Sequence, residues 1–197
     1  MNPERFEKIK KFALELDKEK NILRQTHILD YKRQENDAEH AWHMALMIYL
    51  FKEYANEEFD VLKAIMMALV HDVVEIDAGD TYAYSEEDKK TQKGREEKAA
   101  ERIFGILPED LGDEMRSLFE EYEKGESAEA KFVRVMDNFQ PLLLNDANNG
   151  KDWRRFNIKK SQVMERQGKS EPGSKDIWEY SKRIIEDNTR KGNLIDE

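Results

Sequence analysis

The sequence predicts an all-α protein. Apolar residues recur at helical spacing nearly everywhere, no stretch alternates convincingly with period two, and capping signals separate the periodic runs. Together these divide the 197 residues into about seven or eight helices. The first is expected from about Pro3 to Leu16. A second begins near Asn36, where Asn36 and Glu39 stand in capping-box spacing, and continues through Trp42, Ala45, Leu46, Tyr49 and Leu50. A third starts at Asp60 and runs through AIMMALVHDVVEI to a stop near Gly79. Residues 82–98 are the most polar and least patterned part of the chain and read as a mobile loop leading into a helix around Glu96–Phe104. Pro108 opens a helix through Tyr122 that Gly125 ends, and Ser127 caps one that carries AEAKFVRVMDNFQPLLLND. The loop GKSEPGS precedes a final amphipathic helix with Ile177, Trp178, Ile184 and Ile185. One domain is expected over 1–197, with a core of motifs at 22–145 and a helical extension over 146–197.

Composition limits the functions open to such a fold. Charged residues make up 39% of the chain and the mean hydropathy is −0.91, so the surface is heavily solvated around a periodic apolar core. A net charge of −10 disfavours general attraction to nucleic acid or anionic membrane. No cysteine occurs, which excludes a disulfide framework and a thiolate zinc site. The start, MNPERFEKIKKFALELDKEK, is a charged amphipathic helix rather than a signal peptide or a membrane span, and a cytoplasmic address is expected.

Chemistry concentrates at 71–80, HDVVEIDAGD, directly after the apolar run AIMMALV. On a helix His71 and Glu75 share a face, and Asp72, about 100° round from His71 and three residues before Glu75, extends the same patch. A buried carboxylate must be paired, opened to a cleft or neutralised by a cation, and lysine and arginine are absent from 64–88. Of the four histidines, His40 and His43 fall one turn apart in RQENDAEHAWH, and a metal site could draw on either, because imidazole and carboxylate suit borderline divalent ions. His27 and His43 read as structural. Asp137 takes a position on the stripe Val133, Met136, Gln140 and Leu144 where an aliphatic residue is expected, and an arginine such as Arg134 is its candidate partner. Pro141 removes the helical donor of the Asp137 carbonyl, so a kink is expected there.

The order H…HD…D, at His40, His71–Asp72 and Asp137, resembles the HD-domain metal-dependent phosphohydrolases. The strings ENDAEH and HDVVEIDAGD resemble the branch of the bacterial 5'-deoxynucleotidases and oxetanocin-like proteins, over about Ile22–Asn145. The resemblance implies a helical bundle in which His40, rather than His43, joins His71, Asp72 and Asp137 in holding one divalent metal. It implies catalytic roles for Glu75 and Asp80, with Gly79 turning Asp80 back toward the cleft. Arg24 and Arg33 are the candidates for offsetting phosphate charge. Four protein ligands with two open positions fit an octahedral ion such as Mn²⁺ or Co²⁺ better than Zn²⁺, with Fe²⁺, Ni²⁺ and Mg²⁺ as alternatives. The expected function is hydrolysis of a nucleoside 5'-monophosphate. The alternative is a catalytically degenerate protein that binds a nucleotide or a protein partner without turnover. Apolar and aromatic faces at 42–51 and 62–69 would serve either the core or a homodimer interface.

Overall fold

A computed structural model describes residues 2–79 and 86–197, with the side chains of 86–91 excepted. Asp80 therefore lies outside the described residues, as does the start of the polar span at 82–85. Among the described residues ten α-helical segments form, more than expected because two of them are single turns. Helix α1 spans Pro3–Leu16 and continues as a 3₁₀ turn over Asp17–Asn21. Helix α2 (Asp37–Phe51) opens on the capping box, with Asn36 Oδ1 accepting from Glu39 N at 2.9 Å. Helix α3 (Val61–Val70) starts on Asp60, whose side chain accepts from Lys63 N.

Two expectations change here. First, a short antiparallel hairpin, β1 (Leu23–His27) with β2 (Gln34–Asn36), precedes α2. Its residues, LRQTH and QEN, carry no apolar alternation, so the period-two signal was never there to read. Second, the run through AIMMALVHDVVEI is not one helix. Helix α3 stops at Val70, and the chain proceeds by three-residue turns in which Val73 N donates to Val70 O and Glu75 N to Asp72 O. It re-enters a single helical turn, α4 (Glu75–Ala78), and leaves it at Gly79, whose φ of 75° favours glycine.

Helix α5 (Glu86–Phe104) begins well before Glu96, correcting the loop expected there. Helix α6 (Glu109–Lys124) follows Pro108 and ends on left-handed Gly125. Helix α7 (Ala128–Ala147) is capped by Ser127 and runs through Pro141 as one element. The tail adds α8 (Lys151–Arg155), α9 (Lys160–Gly168) and α10 (Lys175–Arg190).

Helices α2, α3 and α7 pack on one another, and Met44, Ile48, Met67, Phe132 and Met136 are fully buried where they meet. A second apolar cluster joins Val70, Val73 and Val74 to Ala99, Ala100, Ile103 and Phe119 of α5 and α6. His71 stands at the seam, between Met67 and Ala68 on the first cluster and Val73 and Val74 on the second. No helix among the described residues is long and apolar enough to cross a membrane.

Candidate functional site

The shortened turns after α3 decide what His71 can do. Its Nδ1 lies 2.7 Å from the carbonyl of Ala68, which can only accept, so Nδ1 carries the proton. Nε2 is buried without a hydrogen-bond partner, although Asp72 Oδ2 lies 3.1 Å away. The two atoms are close enough to share one ion.

His40 reaches the same space from the first turns of α2. Its Nε2 is 3.2 Å from Asp137 Oδ1, and its ring lies 5.8 Å from that of His71. Donor atoms of His40, His71 and Asp72 all fall within 4.8 Å of one another, and Asp137 joins them through its contact with His40. Two imidazoles and two carboxylates, one nitrogen among them buried and unsatisfied, fit a divalent ion of intermediate softness. The structure thus brings the four expected ligands together.

Charge is strongly biased around them. Burial lowers the pKa of His71, but the adjacent Asp72 outweighs it and raises it to about 9. Burial also lowers His40, and Asp137 and Glu35 more than restore it. Asp72 and Asp137 are held below the usual carboxylate range despite burial, Asp72 by His71 and Arg24, Asp137 by His40 and Arg166. Burial and the nearby charges of Asp72 and Asp37 push Glu19 up to about 7.

The remaining candidates separate. Glu75 is buried in the wall of the pocket, with a carboxylate oxygen in a group with Asp37 and Asp72. Arg24, from β1, donates to Asp72 at 2.9 Å and to Asp37 at 3.2 Å. Arg33 instead lies on the surface in a fork with Glu39, at 2.6 and 2.7 Å, and does not line the pocket. Arg134 bonds the carbonyl of Tyr122 rather than Asp137. His27 pairs with Asp152 and stacks on Tyr31, as a structural histidine would.

Several side chains at the site carried no sequence signal. Tyr122 donates to Asp137 Oδ2 at 2.9 Å, Asp37 is fully buried beside Arg24, and Arg166 of α9 approaches Asp137 at 3.9 Å. They arrive from elements whose neighbourhood only the tertiary fold defines. The pocket that Tyr122 and Arg166 help to line encloses about 470 Å³, within the range of small-ligand sites.

The chain is similar to several known proteins. The 5'-deoxynucleotidase HDDC2 of Homo sapiens is 37% identical over 112 residues, covering 57% of this chain and 53% of that protein. The 5'-deoxynucleotidase hdd1 of Schizosaccharomyces pombe is 29% identical over 116 residues, 56% of this chain and 57% of that one. The chain spans about half the length of the curated relatives it matches. A crystal structure described as a predicted metal-dependent phosphohydrolase from Magnetospirillum magnetotacticum MS-1 superposes with a TM-score of 0.93 at 41% identity, covering 97% of this chain and 96% of that one. The HD domain family itself matches residues 16–178. With a match running from Leu16 to Trp178, this chain belongs to the HD domain family.

Proposed function

We propose that the protein hydrolyses phosphate monoesters at a single divalent ion, Mn²⁺ or Co²⁺, with nucleoside 5'-monophosphates as substrates. The observation that carries this reading is the convergence of His40, His71, Asp72 and Asp137 at a pocket lined by the last three together with Arg24 and Glu75. The names of the curated relatives and of the Magnetospirillum structure support the reaction class.

When bound, the ion would supply Lewis-acid polarisation of the phosphoryl group and a more acidic water. Glu75, one turn along the chain from His71, takes the proton of the attacking water, and Asp80 shares this work or positions the sugar. Arg24 and Arg166 offset phosphate charge, Arg24 by exchanging one of its two carboxylate contacts for the substrate.

Release of inorganic phosphate from a panel of ribo- and deoxyribonucleoside monophosphates, with Mn²⁺ or Co²⁺ present, tests the proposal. Glu75→Gln should bind metal and nucleotide while turnover falls by roughly 10²–10⁴-fold. No turnover of any phosphate ester by the metal-loaded protein would overturn the reading in favour of a non-catalytic binder. A cytoplasmic address and a homodimer belong to the same proposal. Trp42, Leu46, Tyr49 and Leu50 of α2 and Leu62 of α3 are exposed apolar side chains, a surface suited to a second copy. Light scattering that gives a monomer mass at micromolar concentration would remove the dimer.

A further inference from the structure

Gln140 is fully buried on α7, and its amide touches three groups. Oε1 lies 3.0 Å from His40 Nδ1, while Nε2 lies 2.6 Å from Glu35 Oε1 and 3.1 Å from His43 Nδ1. Only one orientation of the amide satisfies this set. The Glu35 carboxylate accepts and cannot donate, so it must face the NH₂ end. The carbonyl end is then committed to His40, and an amide oxygen can only accept. His40 Nδ1 therefore carries a proton toward Gln140, which leaves Nε2, facing Asp137 and the ring of His71, as the nitrogen for a metal.

We infer that Gln140 and Glu35 are positioning residues that fix the tautomer of His40, so that a metal meets Nε2 in one orientation. This inference rests on the metal reading of His40. His43 serves as the second acceptor for the same amide, and burial pushes its pKa down, which keeps it in the neutral form that can accept. The two histidines one turn apart thus have different tasks, His40 toward the ion and His43 behind it.

Partners of this kind cost roughly 10–100-fold in metal affinity when removed. Gln140→Met keeps the volume and removes the acceptor, and calorimetric titration of the metal-free protein with Mn²⁺ should show that loss. The exchanged pair Glu35→Gln/Gln140→Glu returns an acceptor to His40 opposite a donor, and should recover most of the affinity. Ring ¹⁵N–¹H spectra of the wild-type protein loaded with diamagnetic Zn²⁺ should show the His40 proton on Nδ1. A proton on Nε2 would overturn the inference, and this spectrum decides even if Gln140→Met fails to fold. Wild-type affinity in Gln140→Met, or an exchanged pair that binds no better than Gln140→Met, would also overturn it. His40→Ala separates the two levels of the argument. If that variant binds Mn²⁺ normally, the metal reading itself fails; if it loses Mn²⁺ while Gln140→Met does not, only the positioning role fails.

Discussion

Each expected ligand is held by a neighbour that leaves its other lone pairs available. Ala68 accepts from His71, Gln140 from His40, Arg24 donates to Asp72, and Tyr122 donates to Asp137. Replacing His71 or Asp72 by alanine should strip the metal, which elemental analysis of protein purified without chelator would show; full occupancy in Asp72→Ala would remove it from the ligand set. Tyr122→Phe leaves the ligands in place and frees one oxygen of Asp137, so metal affinity should fall at least about tenfold. Glu19 gives a prediction with a definite sign. Its pKa is raised from 4.5 to about 7 on folding, so it favours the folded state while protonated and opposes it once ionised. Stability of the metal-free protein should decline between about pH 4.5 and 7, by on the order of 3 kcal/mol from this group. Glu19→Gln should flatten that part of a denaturation series; an unchanged slope would show that the group is not desolvated.

At the level of elements, the hairpin is tied down at a point the sequence did not advertise. Asp152, just inside α8, accepts from Tyr31 Oη at 2.8 Å and from the backbone of His27 at 3.1 Å. Since β1 also carries Arg24, loosening this tie should reach the pocket. Asp152→Ala is expected to raise hydrogen exchange in 23–36 well above that of α7, and to raise KM more than it lowers kcat. What was legible followed the same division. The capping box at Asn36, the Ser127 cap and the stop at Gly125 are local chemistry, and they formed where the residues required. The broken run after Val70 and the polar hairpin were not legible, because contacts to Ala68, Asp37 and Asp152 decide them rather than periodicity. Among site residues, His71, Asp72 and Asp137 announced themselves as charge on apolar faces. Tyr122 and Arg166 looked like ordinary surface-helix residues until α6 and α9 met α7.

For the whole molecule, the ion would join three separate parts of the fold. His40 belongs to α2, His71 and Asp72 follow α3, and Asp137 belongs to α7. Chelation should therefore lower Tm globally rather than fray one end. An ion present at 100 times its Kd stabilises the native state by about 2.7 kcal/mol. A calorimetric scan with and without Mn²⁺ checks this, and coincident transitions would show that the metal contributes nothing to cohesion.

The spacing of these partners along the chain bears on how the protein comes into being. His40 and Asp137 are 97 residues apart, and Glu35 and Gln140 are 105 apart. A ribosome releasing the chain from its amino terminus delivers Glu19, Glu35, Asp37, Asp72 and Glu75 long before α7 emerges to enclose them. Until then the early helices hold a nest of acids with Arg24, His40 and His71 beside them, and closing so distant a pairing is slow. Synthesis should therefore pass through a stage in which the first half stays loosely packed, and the arrival of α7 is the step that commits the chain.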